Sequence, residues 1–388
     1  MHRFGLLFIV IICAVFSASV NAQQKAPDIV SPEIHADGSV TFRYYNPQAK
    51  DVQFGGNFGS QRDGINGPME RDSRGVWSRT VKDMPSGIYH YTFRVDGRRV
   101  TDLNNPRFRT GNQGKHTSML LAPANPPAAW EENSDIAHGA IVEEKFYSNI
   151  QGRMTTCYVY LPPGMRDTSC RYPVLYLLHG GGDDARGWVY DAMITNVLDN
   201  MIADGTIQPF IGVFPDGDMR YPKNLDWRGD PKLRGISSER HVTYFITEVM
   251  PYVESRYPIR AENSHRILAG LSMGAGQSFQ LAIRYPHLFG YVAPLSNGAA
   301  VNPDDGYSMA GILPGQTEAI NKHIREWYIS IGTKDFLLER AQTTHAIFNE
   351  LGIKHAYFER EGKAHTWDFW VDSVIDFLPQ FSRLISRE

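Results

Sequence analysis

Hydrophobic and polar positions change their rhythm once along this chain. Over 88–95 they alternate: Tyr89, Tyr91, Phe93 and Val95 fall on one face, His90, Thr92 and Arg94 on the other. That period of two predicts a half-buried β-strand. Similar short stretches occur at 39–44, 51–55 and 76–81. Asp37-Gly38 and Asp96-Gly97 supply hairpin turns. Short strands at this spacing predict an all-β, immunoglobulin-like sandwich over 23–122. Beyond residue 139 the strands become apolar on both faces, at 157–161, 174–178, 210–214, 267–271, 290–295, 327–331 and 355–359. Between them lie helix-period stretches, at about 239–256 (Val242, Phe245, Val249 and Val253 on one face), 275–285, 343–351 and 370–381. Buried strands alternating with helices predict a mostly parallel sheet covered on both sides. The joint, 123–138, begins with closely spaced prolines that predict a stiff, extended linker.

Composition changes this picture at one end only. The chain has 388 residues, 42% hydrophobic and 21% charged, with a net charge of -3. This is ordinary for a globular protein and gives no basic footprint for nucleic acid. At the N-terminus, His2 and Arg3 precede an apolar run over 6–16, followed by Val20-Asn21-Ala22. The run is short for a membrane span, and the pattern predicts a signal peptide over 1–22, cleaved on export to a secreted or periplasmic location. Two of the three cysteines lie beyond it, Cys157 in a strand and Cys170 in a turn region, and both are expected to be free.

The chemistry centres on Gly270-Leu271-Ser272-Met273-Gly274, between an apolar strand and a helix. Strand, sharp turn with a serine at its tip, and helix form the nucleophile elbow of α/β-hydrolases. A serine hydroxyl needs a base, and the base needs an orienting acid. In this fold they follow the serine in the order acid, then histidine. Asp335 ends the strand that runs into Gly332, and His365 lies in the loop after the last strand, so these are the candidate acid and base. Asp304, Asp305 and Asp368 are the rival acids, His323 and His345 the rival bases. An oxyanion hole needs two backbone N–H groups. Met273, after the serine, offers one. His179-Gly180-Gly181-Gly182, after the strand at 174–178, offers the other, with Gly181 preferred and Gly180 the alternative. No Lys-Ser or Lys-Thr follows these glycines, so a phosphate loop is excluded. No histidine or cysteine spacing suits a metal, and no cofactor is expected.

With these residues in place, the second domain, 139–388, resembles carbohydrate esterase family 1, the esterase D-like group of feruloyl and acetyl-xylan esterases. The likeness rests on the stretches 158–164 (Tyr158 to Gly164), 172–182 (Tyr172 to Gly182), 270–274 and 365–370. It implies Ser272, Asp335 and His365 as a catalytic triad in an exported enzyme that removes acyl groups from plant-wall xylan. The sandwich resembles starch- and glycogen-type carbohydrate-binding modules through 52–58, Gly75-Val76-Trp77, 87–91 and Val95-Asp96-Gly97. Trp77 at mid-strand is expected in the core. The partner implied is feruloylated or acetylated xylan. Trp227 and Trp367 are candidate flat walls for an aromatic acyl group. Enterobactin-type siderophore esterases share the motifs and an N-terminal sandwich, and the leader favours the glycan reading over theirs. A non-enzymatic glycan-binding protein is the alternative from another class. Removal of 23–122 is expected to leave hydrolysis of a small soluble ester mostly intact and to reduce binding to, or turnover on, insoluble xylan.

Overall fold

The computed structural model describes residues 26–58, 65–110, 116–165, 170–220, 224–226, 229–301 and 308–386. The signal peptide expected at 1–22, Trp227, Asp304 and Asp305 lie outside them.

The first domain is a sandwich of two antiparallel sheets. One runs Glu33–Ile34, Val40–Tyr45, Val76–Val81, Glu70–Arg71. The other runs Gly67–Pro68, Val52–Asn57, Gly87–Val95, His116–Ala122, Phe108–Thr110, with Arg98–Val100 also paired to Gly87–Val95. The alternation in the sequence places Phe42, Phe54, Tyr91 and Phe93 between the sheets. The Phe42 and Phe54 ring centroids are 4.1 Å apart. Asp96 (φ 46°) and Gly97 (φ 82°) form the turn after Val95, both left-handed as a two-residue hairpin of this type requires. Trp77 is buried, with its indole N–H donating to the Asn46 carbonyl, so it is a core residue.

The second domain is an α/β-hydrolase fold with eight described strands: β1 (Ala140–Ser148), β2 (Arg153–Leu161), β3 (Val174–Leu178), β4 (Ile211–Pro215), β5 (Arg266–Leu271), β6 (Tyr291–Leu295), β7 (Glu326–Gly332) and β8 (Ala356–Arg360). Their order across the sheet is β1-β2-β4-β3-β5-β6-β7-β8. β2 pairs antiparallel with both β1 and β4, and all pairs from β4–β3 onward are parallel. The described helices are α1 (Ile194–Ala203), α2 (Pro231–Tyr244), α3 (Met250–Arg256), α4 (Met273–Arg284), α5 (Leu313–His323), α6 (Leu338–Glu350) and α7 (Trp367–Ile385). β3 shows why its sequence is apolar throughout. Leu175 and Leu177 enter the core layer under α1 and α7, while Val174, Tyr176 and Leu178 enter the layer under α3 and α4. The helix expected at 239–256 is instead α2, a wider π-turn over Phe245–Val249, and α3.

The joint differs from its expectation as a stiff spacer. Trp130 is buried in the hydrolase core, and α1 holds the segment: the side-chain amide of Asn196 donates to the Trp130 carbonyl, that of Asn200 to the carbonyls of Ala129 and Glu131. The sandwich is in contact as well. Ile88 and Met119, on its outward face, belong to the same apolar cluster as Trp188, Trp367 and Trp370. Along the outward face, Ile88 and His90 are buried, Thr92 is half-buried and Arg94 is exposed. The face is covered where it meets the hydrolase, His90 included, and open to solvent where it leaves it.

Candidate active site

Ser272 joins β5 to α4 with φ 53° and ψ -111°, a conformation that costs a non-glycine residue energy and persists only where its surroundings enforce it. Three hydrogen bonds do so. The Ser272 N–H donates to the Leu295 carbonyl, the Asn297 side-chain amide donates to the Ser272 carbonyl, and the Gly276 N–H donates to the same oxygen. The flanking glycines are required by contact, not by dihedral angle. A Cβ on Gly270 would lie 2.6 Å from the Gly274 carbonyl carbon, and one on Gly274 would lie 2.5 Å from the Leu178 carbonyl oxygen. The N-terminus of α4 faces the serine and favours negative charge there.

His365 and Asp335 come together from the loops after β8 and β7. His365 Nδ1 is 2.9 Å from Asp335 Oδ2 and 3.0 Å from Oδ1. The Asp335 carboxylate is buried, and its Oδ1 also accepts the Leu337 N–H. Beneath the histidine, the Trp370 ring stands perpendicular to it at 5.0 Å, and its indole N–H donates to Ser296 Oγ, at the end of β6 beside Ser272. Among the described residues no hydrogen bond joins the Ser272 hydroxyl to the His365 ring; such contacts commonly tighten only when substrate binds. Asp368 pairs with Lys363 instead, and His345 with His355.

A cavity of about 410 Å³ opens over the serine, lined among others by Gly181, Ser272, Met273, Gln277, Asn297 and Leu337. Gly181 and Met273 therefore share its wall, and a Cβ on Gly181 would lie 3.8 Å from Met273 Cβ. Gly180 answers a different need, since a Cβ there would strike Leu271 at 2.5 Å. The His179 ring fastens this glycine loop. Its Nε2 accepts the Gly217 N–H at 2.9 Å, which leaves Nδ1 to donate to the Gly180 carbonyl. Arg220, Arg234 and Arg340 also line the cavity, Arg220 held by Asp218.

Trp367 is not brought to the cavity. It is 4% exposed and stands edge-on to Trp188 and Trp370, because α7 begins at Trp367 and its first turn already faces the core. An exposed aromatic ring that does stand beside His365 is that of Phe336, which nothing in the sequence marks. It is 77% exposed, with its centroid 4.5 Å from that of His365. A lone Phe beside a candidate acid reads as core, and only the backbone turn between β7 and α6 directs it outward. Cys157 (buried) and Cys170 (exposed) are both free.

Known proteins agree with this architecture. The Esterase family model matches residues 148–381, and carbohydrate-binding module 48 (isoamylase N-terminal domain) matches 30–113. An endo-1,4-beta-xylanase/feruloyl esterase of Xylanibacter ruminicola is 30% identical over 272 residues, covering 69% of this chain and 36% of that protein. An acetyl esterase of Caldicellulosiruptor saccharolyticus is 23% identical, over 60% of this chain and 94% of its own length. The chain spans about a third of the length of the curated relatives it matches first, 36% and 30%. Among solved structures, a ferulic acid esterase from Anaeromyces mucronatus has a TM-score of 0.58 at 22% identity, covering 66% of this chain and 96% of its own. The enterobactin esterase of Shigella flexneri has a TM-score of 0.63 at 17% identity, covering 89% of this chain and 93% of its own. At these identities the two structures speak for fold alone. The match over most of the second domain does more: this chain belongs to the Esterase family of carboxylic ester hydrolases, with a carbohydrate-binding module 48 domain in front.

Proposed function

We propose that this protein is an exported serine carboxylesterase that removes feruloyl groups from plant-wall xylan through an acyl-enzyme. The supporting observation is the strained Ser272, lining one cavity with Leu337, two residues past the carboxylate bonded to His365. With Nδ1–H donated to Asp335, His365 Nε2 is left to take the Ser272 proton. The oxygen then attacks the acyl carbonyl, and the N–H groups of Met273 and Gly181 receive the oxyanion. His365 returns the proton to the departing sugar hydroxyl, and water, activated by the same ring, frees the acid. Phe336 offers a flat apolar surface beside the histidine. The leader-like 1–22 segment and the sandwich at the front fit a polymeric substrate met outside the cytoplasm.

A second reading, a siderophore esterase, is favoured by the three arginines in the cavity, which suit an anionic acyl group, and by the likeness over both domains to an enterobactin esterase. Rates on methyl ferulate, acetylated xylan and a catecholate triester, measured side by side for wild type and Ser272→Ala, test both. We expect preference for the ferulate, and a loss of about 10⁴ or more in kcat for the variant with the fold intact. Preference for acetate or the triester rejects the feruloyl reading, and a variant keeping several per cent of wild-type activity rejects the serine.

A further inference from the structure

We propose that Arg109 of the sandwich is a positioning residue for the hydrolase's glycine loop, so that the oxyanion hole is held in part from outside the domain that contains it. This rests on the serine-esterase reading above. Arg109 lies on the edge strand Phe108–Thr110 and reaches across the seam between the domains. Its Nη2 is 2.8 Å from Asp183 Oδ1, and its Nε is 2.6 Å from Asp191 Oδ2, a contact of charge whose N–H is not aligned as a hydrogen bond. Both carboxylates are buried.

The two aspartates bracket the loop and the turn behind it. Asp183 directly follows Gly180-Gly181-Gly182, and its N–H bonds to the Gly180 carbonyl at 3.3 Å. Its carboxylate lies over Gly187, where a Cβ would come within 2.3 Å of it. Asp191 closes the helical turn Gly187–Asp191, whose Trp188 donates its indole N–H to the Leu178 carbonyl at the end of β3. The charged and titratable groups around Asp191 are Arg109, Asp183, Asp184, Arg186 and His90. Burial pushes the Asp191 carboxyl well above the usual carboxylate range; Arg109 opposes this, and Asp183 and Asp184 add to it. Burial and Arg109 hold His90 neutral, down to about 3. A planar fork spans two carboxylates; the ammonium of lysine is a point charge and does not. Without the fork, Asp183 and Asp191 lose the cation that ties them together at the base of the loop that carries Gly181. Oxyanion donors act by geometry, so the effect falls on the transition state more than on the bound ester.

The test uses the full chain as Arg109→Ala and Arg109→Lys beside wild type and Ser272→Ala, with a soluble acetyl ester. We expect kcat to fall roughly tenfold or more in both arginine variants, with KM within about twofold. Amide hydrogen exchange over 179–191 should quicken in Arg109→Lys. This readout needs no activity, so it still decides the clamp if the wild type proves inactive or Ser272→Ala stays active, results that reject the esterase reading instead. If Arg109→Ala does not fold, Arg109→Lys decides alone. A folded Arg109→Lys with wild-type kcat, or with unchanged exchange over 179–191, overturns the proposal.

Discussion

Asp335 and Phe336 are chain neighbours with opposite surroundings, one carboxylate sealed against His365 and one ring out in solvent over it. Their substitution should separate two kinds of loss. Asp335→Asn keeps the volume but removes the charge that, in the proposed mechanism, fixes the tautomer and steadies the imidazolium. We expect kcat to fall by about 10⁴ with KM little changed, checked by steady-state kinetics on a soluble ester. Phe336→Ala removes no core contact, so stability should stay within about 0.5 kcal/mol. If the ring stacks on the acyl group, KM for methyl ferulate rises about fivefold, worth ~1 kcal/mol, while an acetyl ester is unaffected. An equal rise for both esters would place the ring on the alcohol side. The Asp335–His365 pairing is legible in the sequence because chain order and strand ends confine the choices. Phe336 is not legible, since exposure depends on which way a turn leaves the sheet. Nor is the role of the His179 ring, which requires Gly217, 38 residues away, to be in place.

At the scale of elements, α4 crosses β3 in close backbone contact beside the site. Gly274 sits against the carbonyls of Leu178 and His179, the last residue of β3 and the first of the glycine loop. Gly274→Ala forces backbone apart where neither side can turn away. We expect a loss of about 1–3 kcal/mol in urea denaturation, together with a fall in kcat, because the loop carrying Gly181 starts at the displaced carbonyl. The central strands and α4 are readable because two-sided burial leaves unbroken apolar runs. β1 is harder to read: at the sheet edge its residues are exposed or half-buried up to Ser148, which leaves little apolar signal. The π-turn within the expected long helix is also hidden, since one residue more per turn leaves the apolar spacing of Val242, Phe245, Val249 and Val253 nearly unaltered.

For the whole molecule, acid is the informative stress. His241 on α2 is fully enclosed, and both ring nitrogens lack partners among the described residues. Burial, aided by His179, holds it neutral, pushed down to about 3 from an ordinary 6.5. Between those two values the unfolded chain binds a proton that the folded chain refuses, so stability falls as pH drops through that window. His90 at the seam behaves alike. Urea midpoints at pH 7 and pH 5 should therefore differ, and His241→Phe should narrow the gap. An unchanged gap would mean that His241 is charged, or solvated, in the folded state.

Because Ile88, Met119 and Trp130 pack into the same cluster as Trp188 and Trp370, the front module is not an interchangeable cassette. An engineer who fused the hydrolase to a different binding module at the proline stretch would leave bare the apolar ground beneath His365. A working chimaera must graft the seam along with the module: the outward side chains at 88, 90, 109 and 119 would travel as a set, whatever sugar the rest of the new sandwich was chosen to hold.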